Sequence, residues 1–511
     1  MESGKYPLQI IWPGYIVKKR LLRESKILRA VQGLSRKRQK VYLVGGAVRD
    51  LILGMPPGKD FDFVTAGEVS HLAGELAETT GGHAFSLNDS FGAWRVTLKS
   101  GKKKIDVDLS PMQGEDILED LKRRDFTLNS IAINLDEIFA HERPSLIDPL
   151  QGLSDLQQRV LRVNSEESFV RDPLRMLRAF RLIHTLRLKI EENTLRLIRE
   201  NKRLILSSAW ERVRREFFTG LGEMGAGSFI RDLHGSGLLE VILPEVQGWE
   251  NFEHGTDQPL LEHAVRTAEA GEAIFAHLRE LYPSYAILLT HHFSSIIEEG
   301  ISRGALFKFV AFLHDSGKPA TVSLSPDGPS VRFLDHDQEG QKINLKIAQR
   351  MKLSRKSVRI LSELTRHHLR IQSLAKTKEV TSRAKYRFFR DLGKEGIDQI
   401  FLALADSLSS TPMTSGWPLI LELPGDLKRI RAVAEELLRY CFEEFLPKPP
   451  RPLLDGREIM KALDLPPGEE VGRLLERLRE AEIAGRVRTR EEALEFLKNI
   501  DSSRPFGYHK K

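Results

Sequence analysis

An apolar run that breaks at two glycines, Tyr42-Leu-Val-Gly-Gly-Ala-Val-Arg-Asp50, and resumes as Asp60-Phe-Asp-Phe63 sets the tightest limit on what this chain can fold into. The first part reads as strand, tight turn and helix, with helical residues at Leu51 to Leu53, and Lys59 to Phe63 reads as a second strand. Side chains alternate along a strand, so Asp60 and Asp62 share a face. Adjacent carboxylates repel unless a cation lies between them, and a divalent metal is the usual remedy. Gly45 and Gly46 ahead of a helix let backbone N–H groups approach a phosphate. The combination predicts a metal-dependent nucleotidyl-transfer centre.

A chain of 511 residues exceeds one ordinary core, so three or four modules are expected, and a hydrophobic content of 41% supports packed cores throughout. Cys441 is the single cysteine, which excludes intramolecular disulfides and thiolate zinc sites and suits a reducing compartment. No apolar run approaches ~18 residues and Met1 to Gly14 lacks a signal-peptide pattern, so a soluble, cytoplasmic protein without membrane partners is expected. The net charge of +7 is concentrated: residues 156–218 hold 15 Lys/Arg against 8 Asp/Glu, an excess equal to that of the whole chain. A basic stripe beside a phosphate-transfer centre points to nucleic acid held by its backbone, although a solvated helical face has the same composition.

The expected fold class is multidomain α+β. Residues 1–40 read as an N-terminal extension ending in a basic helix from Lys18 to Lys40. Residues 41–140 mix short strands (Val41 to Val44, Asp60 to Val64, Trp94 to Leu98, Lys104 to Leu109) with helices. Residues 141–237 form a helical neck, in which Leu174, Leu177 and Phe180 alternate with Arg175, Arg178 and Arg181 along Asp172 to Ile183, and Ser208 to Phe218 repeats the basic pattern. A looser stretch, Gly220 to Gly237, leads into a His-rich helical body at 238–430. Residues 431–511 make a charged helical tail after the linker Pro447 to Pro452, with Asp501 to Lys511 expected to be disordered.

Beyond the paired aspartates, Lys104-Ile-Asp-Val-Asp-Leu109 supplies more acidic strand residues. A two-metal centre needs a third carboxylate on the side of the incoming hydroxyl, for which Asp108 is the first choice and Asp106 the second. Arg123-Arg-Asp-Phe-Thr-Leu-Asn129 opens a helix-like segment whose guanidinium groups suit phosphate, and whose Asn129 amide suits a ribose or phosphate oxygen. Asp172 also fits a helix cap before Pro173.

Six segments, taken in order, resemble the class II tRNA nucleotidyltransferase and bacterial poly(A) polymerase family. They are Leu43 to Asp50, Asp60-Phe-Asp62, Arg123 to Asn129, Asp148-Pro-Leu-Gln-Gly-Leu-Ser-Asp155, Asp172-Pro-Leu-Arg175 with Leu177 to Arg181, and Glu211-Arg-Val-Arg-Arg-Glu216. The resemblance implies a polymerase β-like head, a helical neck, Mg²⁺, and addition of CMP, with AMP as a second candidate, to a tRNA 3′ end without a template. It implies Asp60, Asp62 and Asp108 as catalytic metal ligands. Gly45, Gly46, Arg49, Arg124, Asp125, Asn129, Arg178 and Arg181 would bind the nucleotide, and Asp172 with Arg175 would read its base.

Two departures bear on specificity. Arg171 stands where the family commonly has an acidic residue, and only 14 residues, Leu109 to Lys122, separate Asp108 from Arg123. The short connection resembles CC-adding specialists rather than full CCA-adding enzymes. A poly(A) polymerase and a phosphohydrolase with a nucleotide-sensing head are the other readings.

The body carries a second constellation. His263, His314-Asp315, His336, the pair His367-His368, with His367 as the expected ligand, and Asp406, with the apolar helix Phe307 to Leu313 before His314-Asp315, resemble the HD phosphohydrolase superfamily. That resemblance implies a second divalent-metal site and a second, phosphohydrolase activity.

Overall fold

The computed structural model describes residues 5–6, 26–35, 40–55, 60–88, 91–100, 103–140, 144–254, 258–325, 331–410, 425–447 and 452–502. Two compact units emerge: residues 1–220 with 232–242, and residues 221–231 with 243–511. The linker Pro447 to Pro452 falls largely, and the terminal segment Asp501 to Lys511 almost wholly, outside the described residues.

The first unit is built on a sheet of eight strands: β1 (Lys5–Tyr6), β2 (Val41–Val44), β3 (Asp60–Thr65), β4 (His83–Asn88), β5 (Ala93–Ser100), β6 (Lys103–Pro111), β7 (Ala132–Asn134) and β8 (Leu146–Ile147), in the order β1-β8-β7-β2-β3-β6-β5-β4. β3 and β6 run parallel and the other neighbours antiparallel. The pleat sorts the two faces. Phe61 and Phe63 of β3, Val107 and Leu109 of β6, and Val96 and Leu98 of β5 are buried, and the Val69–Thr80 helix packs on β4, β5 and β6. The other face carries Asp60, Asp62, Asp106 and Asp108 at one end. At the other, Tyr42, Val44 and Val64 pack on Ile117 and Leu121 of the Ile117–Arg123 helix.

Several local expectations shift by a few residues for identifiable reasons. The helix after the glycine turn spans Gly46–Ile52. Arg123 closes a helix rather than opening one: Arg124 to Phe126 are extended, and a single 3₁₀ turn covers Thr127–Asn129. Asp116, whose side chain accepts from the Glu119 N–H, fixes that helix's start. In the expected basic N-terminal helix, Lys26–Ser35 is helical and residues 7–25 lie outside the described residues. The neck helix runs Leu174–Leu186 with Pro173 as its cap residue. The stretch expected to be loose is helical, Trp210–Gly222 and Ala226–Gly235, broken at Gly225, whose φ of 91° suits glycine.

The second unit is almost all helical. Leu260–Ala276, Arg303–Leu313, Arg355–Arg366 and Glu395–Ser409 pack together, and a separate small core around Leu454, Ile459, Leu474, Leu478 and Leu497 belongs to the last three helices.

Candidate functional site: an acidic–basic cleft and a histidine cluster

Because β3 and β6 are parallel and in register, Asp60 pairs with Asp106 and Asp62 with Asp108, so four carboxylates share one face. Antiparallel pairing with β5 then sets Thr97 beside Asp106 and Arg95 beside Asp108. The two aspartates of β6 are engaged differently. Asp106 accepts from the Thr97 hydroxyl at 2.7 Å and lies 3.3 Å from Lys104 Nζ. Burial would raise its pKa, but the Thr97 hydroxyl and the Lys104 ammonium outweigh burial and hold it below the usual range. Asp108, by contrast, lines a cleft of about 550 Å³ together with Asp60 and Asp62.

Burial pushes Asp62 up to about 6, with Asp108 and Asp60 adding to the rise and Arg124 and Arg178 opposing it. A carboxylate raised this far in spite of two nearby arginines is short of positive charge, and a divalent cation among Asp60, Asp62 and Asp108 fits that deficit. Gly45 turns the chain directly above it with φ 71°; a Cβ there would meet Asp62 Oδ2 at 3.0 Å and Arg124 Nη1 at 3.5 Å. Any other residue would be strained at this φ and would press its Cβ against the Asp62 carboxylate.

The opposite wall is cationic. Arg49, Arg124, Arg175, Arg178 and Arg181 line the cleft with Gly46, Asp125, Asn129 and Asp172. These side chains form a relay. Arg49 donates to Asn129 Oδ1 at 2.7 Å, and Asn129 donates to Asp125 Oδ1 at 3.1 Å. Arg178 donates to Asp125 Oδ2 at 3.2 Å and to Glu216 at 3.3 Å, and Arg181 donates to the other oxygen of Glu216 at 2.8 Å. Asp125 is buried, and although burial favours its neutral form, Arg178 first and then Asn129 keep it ionised below the usual range.

The two residues expected to read a base sit on the same wall but are partly occupied. Asp172 Oδ2 accepts from Arg212 at 3.3 Å, and its Oδ1 caps the helix weakly, 3.4 Å from the Leu174 N–H. Arg175 donates to the carbonyls of Arg123 and Arg124 at 3.0 and 3.2 Å and to the Ser168 hydroxyl at 2.7 Å. Arg171 points to Glu167 and does not line the cleft.

Sequence reasoning missed Arg95, which lines the cleft, and Glu216, which lies behind it and holds Arg178 and Arg181 in its wall. The signal for Arg95 is its place two residues before Thr97 on a strand whose register with β6 only the folded sheet supplies. Glu216 ends a motif already singled out, but its partners Arg178 and Arg181 lie 38 and 35 residues away in sequence.

In the second unit, six of the side chains that converge are His263, His314, Asp315, His336, His368 and Asp406. His368 replaces the expected His367, which points outward to Glu363. The helix closes at Arg366 and His367 is its cap residue, with φ −113° and ψ 12°, so the chain turns there and brings His368 inward to Asp315.

The ring tautomers are fixed from outside. Nδ1 of His314, His336 and His368 faces the carbonyls of Ala311, Phe333 and Thr365 at 2.7–2.8 Å. Nδ1 of His263 faces the Ser409 hydroxyl, which itself donates to the Asp406 carbonyl. Each Nδ1 therefore carries the proton, and each Nε2 turns a lone pair inward. His263 and His314 Nε2 lie 3.4 Å apart, and His336 and His368 Nε2 lie 3.0 Å apart. Asp315 gives Oδ2 to the first pair, at 3.4 and 3.2 Å, and Oδ1 to the second, at 3.4 Å from each ring. Asp406 Oδ1 completes the first set, and Gln372 steadies its Oδ2 at 2.9 Å. Acceptors facing one another at this spacing call for cations. The Lys318 ammonium, 2.6 Å from Asp315 Oδ2, meets part of that demand, and Asp315 and Asp406 overcome burial and push His314 up to about 10.

Comparisons with known proteins agree with the first unit's geometry. A family model described as "Poly A polymerase head domain" matches residues 41–162, and one described as "Probable RNA and SrmB- binding site of polymerase A" matches residues 187–249. The A-adding tRNA nucleotidyltransferase of Deinococcus radiodurans is 32% identical, covering 91% of this chain and 96% of its own. The CC-adding enzyme of Geobacter sulfurreducens is 30% identical over 89% of this chain and 91% of its own. A CCA-adding enzyme solved with CTP shares the fold at a TM-score of 0.63 and 21% identity, covering 96% of this chain and 98% of that one. Fold class, cleft and sequence likeness converge: the chain belongs to the tRNA nucleotidyltransferase and poly(A) polymerase family.

Proposed function

We propose that this nucleotidyltransferase adds cytidine to the 3′ end of tRNA, using CTP and releasing pyrophosphate, and that it is a single-base specialist rather than a full CCA-adding enzyme. The 3′-hydroxyl of the acceptor attacks the α-phosphorus of CTP. The new O3′–P bond forms as the bond from that phosphorus to the β-phosphate bridging oxygen breaks, and the hydroxyl proton is lost. Asp60, Asp62 and Asp108 would hold magnesium, which when bound makes the hydroxyl more acidic and offsets charge on the phosphates. Arg124 and Arg181 face the triphosphate, while Arg49, Asn129, Asp125, Arg178 and Glu216 hold one another in place around it. Cytosine and adenine both present an exocyclic amino donor beside a ring-nitrogen acceptor, which Asp172 and Arg175 complement and uracil does not.

The observation that carries the single-base reading is the connection from β6 to the Ile117–Arg123 helix. Only residues 112–116 intervene, and they are pinned: Met112 N–H to the Thr65 carbonyl at 2.9 Å, Gln113 N–H to Asp120 at 3.0 Å and Glu115 N–H to Glu119 at 3.0 Å. A tether so short and so bonded leaves little freedom to reshape a pocket between cytosine and adenine. Transcripts ending before C74, C75 and A76, each offered one labelled nucleotide, test the reading. CMP addition at the first two with AMP addition at least tenfold slower on the third is expected; comparable AMP addition, or AMP addition alone, refutes it.

The histidine cluster supports a second reading for the other unit, a metal-dependent phosphohydrolase of the HD type. The supporting observation is that Asp315 offers one oxygen to each of two histidine pairs, an arrangement suited to two bridged divalent ions. Hydrolysis of 2′,3′-cyclic or monoester phosphates, lost in a His314→Ala/Asp315→Ala variant that still adds CMP, is the expected result. Hydrolysis that persists in that variant refutes it.

A further inference from the structure

We propose that the exposed face of β4, centred on Phe85, is the stacking platform for the terminal base of the RNA acceptor whose 3′-hydroxyl is extended in the adjoining cleft; this rests on the nucleotidyl-transfer reading of that cleft. Cross-strand partners share a face of a sheet. Phe85 pairs with Arg95, Arg95 with Asp108, and Asp108 with Asp62, so one straight row runs from the carboxylates to the sheet edge. A second row runs from Asp60 through Asp106 and Thr97 to His83.

The edge end of these rows is apolar and open. Phe85 is 38% and Leu87 44% exposed, and Phe91, in the turn that follows, is 63% exposed. These residues are not surplus core, because the core of this region is on the other face, where Val96, Leu98, Val107 and Leu109 are buried. The His83 and Phe85 rings lie side by side, with centroids 6.2 Å apart and planes 31° from parallel. At a strand spacing of ~4.8 Å, the β4 backbone is roughly 10 Å from that of Asp108. That is the reach of one nucleotide from its 3′-oxygen to the far edge of its base.

Cations stand between the two ends. Arg95 occupies the middle of the first row, and the Lys104 side chain, 63% exposed, lies beside the second. Aromatic surface flanked by cations and continuous with a phosphate-transfer site is the pattern that holds single-stranded nucleic acid, with rings for bases and charges for the backbone. A second copy of the chain pairing along the β4 edge would have no use for a row that ends at the carboxylates.

The test uses the full-length enzyme and an RNA minihelix that ends before the first added cytidine and carries 2-aminopurine as its terminal base. Wild type should quench the fluorophore on binding. Phe85→Ala should abolish the quenching and raise KM for the RNA by roughly tenfold, the size of one lost base–aromatic stack, with KM for CTP within twofold of wild type. Phe85→Tyr should restore both readouts. Unchanged quenching and RNA KM in Phe85→Ala overturn the proposal, as does an equal rise in the KM for CTP. A wild-type dimer in sedimentation that Phe85→Ala dissociates without change in RNA KM overturns it too, in favour of an edge-to-edge contact. Wild type that adds neither CMP nor AMP to unlabelled minihelices ending before C74, C75 or A76 fails the underlying nucleotidyl-transfer reading of the cleft, and this proposal with it.

Discussion

Arg95 grips Asp108 through both carboxylate oxygens, Nε to Oδ1 at 2.6 Å and Nη2 to Oδ2 at 2.7 Å. The hydrogen bonds it donates to Asp108 are the main reason the guanidinium is held even more firmly charged than usual. Arginine and divalent metal therefore compete for one carboxylate. Arg95→Ala should lower the magnesium concentration that gives half-maximal CMP addition several-fold, and lower the melting temperature in EDTA, where four carboxylates lose a counter-charge. A magnesium midpoint that does not move would show that Arg95 holds Asp108 without opposing the metal. In the same series, Asp60→Ala, Asp62→Ala and Asp108→Ala should be inactive. Asp106→Ala should retain activity, because Asp106 is tied to Thr97 and Lys104 and does not line the cleft.

Base choice should follow Asp172 and Arg175. Asp172→Ala should weaken CTP use by ~1–3 kcal/mol, the cost of a lost polar partner for the base, and narrow the preference for CTP over UTP. Arg175→Ala should do the same and also lower the melting temperature, because it releases the carbonyls of Arg123 and Arg124 and the Ser168 hydroxyl. CTP-to-UTP selectivity unchanged in both variants would leave Asp172 as a helix cap and partner of Arg212.

Metal content distinguishes the two histidine sets. Purified protein loaded with manganese and freed of excess should retain two ions per chain in the second unit, counted in an Asp60→Ala/Asp62→Ala background to remove the cleft's share. His336→Ala or His368→Ala should retain one, and Asp315→Ala should retain none or one weakly held ion. His367→Ala should retain two, since its ring faces Glu363. Loss of an ion in His367→Ala would overturn the assignment of His368.

The buried Asp125 gives a pH signature. Its pKa is lower folded than unfolded, so its contribution to stability is complete above the unfolded value of ~3.9 and fades as pH falls through the folded value. Asp125→Asn should cost roughly 1–3 kcal/mol near neutrality by leaving Arg178 without a charged partner on that side. The deficit should be equal at about pH 7 and pH 5 and smaller near pH 3.5. A deficit independent of pH over that range would mean that the loss is steric.

Much of the acidic–basic cleft could be read from the chain because its parts are local. Asp60 and Asp62 share a face by strand alternation alone, Gly45 must turn where an apolar strand meets a helix, and Arg178 and Arg181 recur at helical spacing. Local periodicity also gave the four strands around the carboxylates, to within two residues at each end. What it could not supply is everything set by pairing between distant segments. The register of β6 against β3 sends Asp108 to the cleft, and the register of β5 places Arg95 on it. The 53-residue separation of Asp125 from Arg178 hides an ion pair that holds the cationic wall together. In the second unit, sequence gathered the histidines but took His367 rather than His368 as the member of the cluster. His367 caps the helix with non-helical backbone, and which of the two neighbours in the turn that follows meets Asp315 depends on how that turn packs. Residue type and short-range spacing thus determined which chemical groups the cleft and the cluster can draw on, while long-range register and the turn after a helix decided which side chains enter them, because only packing between distant segments sets either.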